Sequence, residues 1–395
     1  MERARFELLP GVFLTAVRTD APRGCFRAAL LRQLSREEAA MNALLPDTLL
    51  QGTQAHPSPE ALSAALASLG CDGAHSFVRK LGEIQAVGYA AAFENDDAAF
   101  PALMRLMSAI LLQPDTRFGQ LKKEAVAAAL KQYAQADEPE DPFAALIEHM
   151  CCYEDYGLPV RGEDPEAGPN YYQKLSRHYR AVLAAAPLEL FYAGAVPPKQ
   201  AAQVLADCFA AMPRGEPDFE LGTDIRMNAV EAEPRIEDHS GPQGACRVAV
   251  GWRLGEGMEE PDVPALEALA CLLAYLTRGL EPQVRLDVHK GLLMAACETD
   301  GTEPEAIVSA FTGAMEVLRA GEFSPAALDE ARRGRIAQLR AAADDPAALE
   351  RFWLEQDLLG LELAPDEYAA FTQEAAHADV VAAAQGVECD AVLIS

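Results

Sequence analysis

The feature that most limits the fold is a break in mid-chain flanked by two halves that echo one another. Residues 213–243 hold four prolines, several glycines and many acids, with little apolar periodicity. Such a stretch reads as a linker followed by the first strand of a second folding unit. On either side the same signals recur. CFRAALLRQ at 25–33 and CRVAVGWRL at 246–254 are apolar runs of strand length. Each precedes a helical segment, 36–50 or 263–276. Later, each half carries a turn leading into a long charged helix, at 115–134 and at 322–341. Repetition on this scale points to two copies of one α+β unit. The expected fold is therefore α+β, with two related domains at 1–212 and 241–395 joined by 213–240. Each would be a mostly antiparallel sheet packed with helices, the second shortened.

The length of 395 residues and the half of them that are apolar allow two substantial cores. With 61 acidic against 33 basic residues, the net charge is −28. That balance argues against nucleic acid and anionic membrane surfaces as partners, and gives a soluble acidic surface able to steer basic peptides. No stretch of 18 apolar residues suggests a membrane span, and MERARFELLPGVFL lacks the apolar core of a secretory signal. The nine cysteines are odd in number, irregularly spaced and free of CxxC pairs. They read as reduced thiols, so a cytoplasmic location is expected.

Local signals fill in the first half. Alternation over 3–17, broken at Pro10-Gly11, predicts a hairpin. Ser35 is a candidate cap for the helix at 36–50, and Ser58 with Pro59 opens a helix at 58–69. Strands at 73–80 and 83–93 meet at Lys80-Leu81-Gly82-Glu83. Helices are expected at 97–112, 117–135, 143–151, 171–184 and 198–211, with a buried strand at 187–194. Tyr171, Tyr172, His178 and Tyr179 suit helix packing better than a peptide groove, and Trp353 suits a core or an interface. His289-Lys290 reads as a polar turn.

The chemistry-bearing residues are sparse. Histidines stand at 56, 75, 149, 178, 239, 289 and 377, no two within five residues of each other. No local HExxH or HxxEH pair can therefore grip a zinc ion from one helix face. There is no GxSxG elbow, no Cys/His signature, and no GxGxxG or GxxxxGK[ST] phosphate loop. Gly251 to Gly257 reads as a strand end and turn.

The order of several segments resembles the insulinase-like metallopeptidases (pitrilysin or mitochondrial processing peptidase-like, inverzincin). NALLPDTLLQGT at 42–53 is similar to the family's zinc helix, which closes on a Gly-Thr pair, here Gly52-Thr53. Lys80 to Glu83 and the block 161–196 match family turns and a helix–strand unit. Residues 285–291 (RLDVHKG) resemble a stretch of non-peptidase paralogues, and 324–395 fits the last helices and strand. The resemblance implies a clamshell half that pairs with a second one, as a homodimer or a heterodimer with an insulinase-like homologue, to enclose a peptide.

It also implies a lost metal site. Aligned on Gly52-Thr53, the His-x-x-Glu-His positions hold Ala43, Pro46 and Asp47. The third-ligand position, set by Glu124, holds Lys131. Alanine offers no donor, proline no general base, and lysine brings the wrong charge. The second-domain Arg and Tyr that help active members fall in an interval filled here by Leu276–Val284. Either a deletion removed that strand, or Asp287 and Met294 replace the pair. The expectation is a pseudo-peptidase, not an enzyme, with no catalytic residues and no metal or other cofactor. It would bind peptide through residues not yet identifiable. A metallopeptidase with a non-standard metal site is the enzyme alternative, and a scaffold in peptide maturation or translation-factor modification is another.

Overall fold

The computed structural model describes residues 2–135, 141–165, 167–218, 220–223, 235–238, 246–254, 262–299, 303–361 and 363–395. In chain order its first half holds β1 (Glu2–Leu9), β2 (Val12–Arg18), β3 (Arg23–Gln33), α1 (Ala39–Leu49), α2 (Pro59–Ala67), β4 (Cys71–Leu81) and β5 (Ile84–Glu94). Then come α3 (Phe100–Leu112), β6 (Thr116–Arg117), β7 (Gln120–Leu121), α4 (Lys123–Gln135), α5 (Ala144–Met150), α6 (Tyr171–Ala185), β8 (Leu188–Gly194) and α7 (Pro198–Phe209). The second half holds β9 (Arg235–Asp238), β10 (Cys246–Leu254), α8 (Val263–Leu276), β11 (Gln283–Asp287), β12 (Leu292–Thr299) and α9 (Pro304–Arg319). It ends with α10 (Pro325–Ala342), α11 (Pro346–Leu359), α12 (Pro365–Glu374), α13 (His377–Gln385) and β13 (Val387–Ile394).

The repeat is exact at the level of topology. The larger sheet runs β1-β2-β8-β3-β5-β4, and the smaller runs β9-β13-β10-β12-β11. After the extra edge strand β1, the two orders match strand for strand. The pairings match as well: β2 and β8 are parallel, as are β9 and β13, and the remaining ladders are antiparallel. The fold is thus α+β with two related sheet-and-helix units. The strand suspected of deletion is present. It is β11, cut to five residues where its counterpart β4 has eleven. The run Leu292–Thr299, for which the sequence reading offered no strand, is the long partner β12.

The compact units do not follow the contiguous division at 1–212, 213–240 and 241–395. One contains 1–137, 158–222 and 342–362; the other contains 138–157, 223–341 and 363–395. Each half of the sequence therefore gives a helix to the other half's sheet. Within the first unit, α11 packs on β3 and β8, burying Phe352, Trp353 and Leu354. Within the second, α5 lies on β10 and β13, and its Leu146, Ile147 and Met150 join Ala249, Met294 and Leu393 in one apolar cluster. A Cβ on Gly251 would sit 2.2 Å from the Met150 sulfur, so a larger residue there would force the Met150 side chain of α5 to shift.

Buried ion pairs fasten both exchanged helices. In the first unit, Arg27 on β3 donates to the Glu350 carbonyl at 3.0 Å and to its Oε1 at 3.1 Å, while Arg79 forks onto the same carboxylate at 2.7 and 2.8 Å. Burial pushes the Glu350 carboxyl up, but the Arg79 and Arg27 guanidiniums outweigh it and hold it below the usual carboxylate value. In the second unit, Arg253 on β10 donates to the Met150 carbonyl at 2.5 Å, Glu154 at 3.0 Å and Asp390 at 2.8 Å. Lys290 completes that cluster with Glu154 at 2.6 Å and is 1 % exposed. The polar turn expected at His289-Lys290 is thus half wrong: Lys290 is an interior cation.

Other local expectations fare unevenly. Ser58 caps α2, accepting from the Ala61 amide at 3.2 Å, and Gly82 takes φ +57 in the β4–β5 turn. Ser35 does not cap α1, which opens at Ala39 with no side-chain cap on its first turn. The helix expected at 117–135 begins only at Lys123, because a hairpin of β6 and β7 turns through Phe118 and Gly119 at positive φ. Half of the expected linker 213–240 lies outside the described residues, as do Gly255 to Gly257 and His239. No helix among the described residues is long and apolar enough to cross a membrane.

Candidate functional site

Helix α1 follows β3 and packs against α4, β4 and β5 of its own unit. It is almost wholly buried because its residues are mostly small or apolar; Pro46 sits inside it. Ala43 is 1 % exposed, and Pro46 is buried beside it. Asp47, one residue on, reaches the rim. Its Oδ1 accepts from the Ser76 hydroxyl on β4. Its Oδ2 pairs with the Arg161 guanidinium at 3.2 Å, with the two side chains 13 % and 21 % exposed.

Arg161 is held from the other side by α4. Its guanidinium lies 4.7 Å from the centre of the Tyr133 ring, and the Tyr133 hydroxyl donates to the Arg161 carbonyl at 2.8 Å. An aromatic face attracts such a cation. Lys131, two residues before Tyr133 on α4, points instead to solvent. The structure thus joins Asp47 to Ser76, Arg161 and Tyr133, none of which the sequence reading singled out, and leaves Lys131 outside the group.

A second, largely buried polar layer starts from Asn42 of α1. Asn42 donates to Gln85 at 2.9 Å, and Gln85 in turn donates to the carbonyls of Ala39 at 3.1 Å and Val160 at 2.8 Å. His178 on α6 meets the Asn42 Oδ1 at 2.7 Å through Nε2. Since that oxygen only accepts, Nε2 carries the proton. Burial, set against the nearby Glu38 charge, lowers the His178 pKa below its ordinary 6.5 and keeps the ring neutral. Tyr171, His178 and Tyr179 are each 8–9 % exposed, as helix-packing residues should be.

This donor set does not fit zinc. Ala43 and Pro46 supply no ligand atom. Both oxygens of Asp47 are already engaged, one of them by a cation, so an arriving dication would have to displace Arg161 and meet its charge. Among the described residues no group of three or more His, Cys, Asp and Glu side chains is placed to hold a metal ion. In the second unit, Asp287 accepts from the buried Tyr156 hydroxyl, and Met294 is fully buried.

One strand edge borders the site. Among the described residues β4 ends its sheet, pairing with β5 on one side only. Most of its residues are half-exposed, and Ser76, which bonds Asp47, lies in its middle.

No family model matches the chain. A "Probable inactive metalloprotease YmfF" of Bacillus subtilis is 23 % identical over 394 residues, covering 91 % of this chain and 90 % of that protein. Among solved structures, a conserved protein from Enterococcus faecalis superposes with a TM-score of 0.79 at 18 % identity, over 100 % of this chain and 98 % of that one. A peptidase M16 inactive domain from Pseudomonas fluorescens gives 0.75 at 13 % identity, covering 100 % and 98 %. A protease from Helicobacter pylori gives 0.75 at 12 %, covering 100 % and 99 %. Over most of its length the chain is thus similar to a probable inactive metalloprotease, and it shares its fold with solved structures that include a protease and a peptidase M16 inactive domain.

Proposed function

We propose that this chain is a non-catalytic insulinase-like subunit of the cytoplasm, a pseudo-peptidase that binds peptide and pairs with another member of its family. The observation that carries the reading is the closed Asp47 group. Of the His-x-x-Glu-His positions an inverzincin needs, only the one held by Asp47 carries a donor, and Arg161 and Ser76 hold both of its oxygens. A water-activating metal has nothing to replace it here. The name of the Bacillus relative agrees with this reading. The unpaired outer edge of β4 beside the group offers a peptide main chain the ladder bonds of an added strand. Nine free cysteines agree with a reducing compartment.

The test has two arms. Metal analysis of the purified chain, with peptide cleavage followed with and without a chelator, should show substoichiometric metal and no chelator-sensitive cleavage. A stoichiometric zinc ion with cleavage that the chelator abolishes would overturn the loss of catalysis. Co-expression with zinc-bearing homologues of the same genome should give a stoichiometric complex; a chain that stays monomeric and binds no peptide would overturn the pairing.

A further inference from the structure

A cleft of about 760 Å³ opens in the first unit beyond the C-terminal end of α1. Gln51, Pro57, Phe118, Lys123 and Tyr172 are among its walls. Two features of it are unexplained by the folding of the unit. Phe118, at the tip of the β6–β7 hairpin, is 95 % exposed and takes φ +53. Holding a non-glycine residue in the left-handed region costs roughly 1 kcal/mol, and this ring recovers nothing by burial. Its one aromatic contact is the Arg117 guanidinium, 5.6 Å from the ring centre. A smaller polar residue would turn the hairpin more easily beside Gly119.

The second feature is charge. In a chain with 61 acids and 33 bases, the eight residues 116–123 (TRFGQLKK) carry three bases and no acid. Lys122 is paired with Asp115. That leaves Arg117 and Lys123 on the cleft wall against the single carboxylate of Glu124. The rim is therefore locally positive on a strongly negative protein, and beside it stand apolar surfaces of Pro57, Phe118 and Tyr172.

We infer that this cleft docks an acidic peptide segment bearing a large apolar side chain. The side chain closes against Phe118, Pro57 and Tyr172, while its flanking carboxylates meet Arg117 and Lys123. Exposed aromatics and arginines are the residue types that anchor such contacts. The cleft adjoins the Asp47 group without containing its carboxylate: Gln51, on the cleft wall, donates to the Asp47 carbonyl at 3.0 Å.

Fluorescence anisotropy on the full-length chain tests it, using labelled Asp/Glu-rich peptides with a central Phe, the same peptides with Ala in its place, and Lys-rich counterparts. The acidic Phe peptide should bind best, and more weakly as salt is raised. Phe118→Ala should weaken it about tenfold and Lys123→Glu should do likewise, both with unchanged thermal melts. Phe118→Gly, which relieves the backbone strain, should stabilise the free chain and still lose the peptide. Equal binding of the Lys-rich peptide, no binding of any peptide, or undiminished affinity in both Phe118 variants would overturn the assignment.

Discussion

The helices α1 and α8 occupy the same place in the two units, each following the central strand of its sheet, yet they spend their one inward carboxylate differently. On α1, Asp47 turns to the rim, where a strand hydroxyl and Arg161 close on it. On α8, Glu267 is stitched inward: Arg335 at 2.9 Å, Tyr368 at 3.1 Å and Thr372 at 3.0 Å all donate to it, binding α8 to α10 and α12. The first arrangement leaves a carboxylate beside an open strand edge. The second ties helices together. One fold thus sets a carboxylate at the rim in one copy and uses one as an internal fastening in the other.

The same contrast governs the exchanged helices, and it sets the scale of what mutations should do. Arg253→Met would remove the guanidinium that bridges Glu154 and Asp390, both buried. Breaking a buried pair from one side costs about 3–5 kcal/mol, so chemical denaturation should show early unfolding of the second unit. An unshifted transition would mean that α5 is held by apolar packing only. Glu350→Gln in the first unit should cost somewhat less, roughly 2–4 kcal/mol, because the amide still accepts one bond from Arg27 or Arg79, and Arg79 is 26 % exposed.

Smaller effects belong to the rim. Asp47→Ala removes a partly exposed pair and a hydroxyl bond, and should lower the melting stability by only about 1 kcal/mol. If it cost as much as Arg253→Met, the two units would not differ as described. The pH dependence sharpens the point. The folded pKa of His178 lies below its ordinary 6.5, so as pH falls the unfolded chain takes up the proton first. The stability that depends on the neutral ring is whole above that value and drains away below it. Between about pH 7 and pH 5 the wild type should lose stability more steeply than His178→Gln, with the difference read from denaturation midpoints in the first unit.

Much of this architecture is legible in the sequence. Strand 246–254 and helix 263–276 match to the residue, because each is a long apolar segment with clear ends and Asp262 caps the helix, accepting from the Ala265 amide. The exchange of α5 and α11 is not legible, since an amphipathic helix records that one face is covered but not by which sheet. A hint existed in Arg27 and Arg253, charges set inside strand-like apolar runs that have to find buried partners. The Asp47 group escaped for a similar reason. Its partners lie 29 and 114 residues away in the chain, and no local pattern connects a serine in mid-strand with an arginine in a Gly/Pro-rich loop.

The reciprocal loan of helices has a consequence during synthesis. The amino-terminal sheet cannot receive its covering helix until residue 359 has left the ribosome, more than 160 residues after its own last strand was made. Until then the faces of β3 and β8 that Phe352, Trp353 and Leu354 will cover must wait, open to chaperones or to aggregation. Cutting the gene at its apparent midpoint would make that wait permanent for both halves.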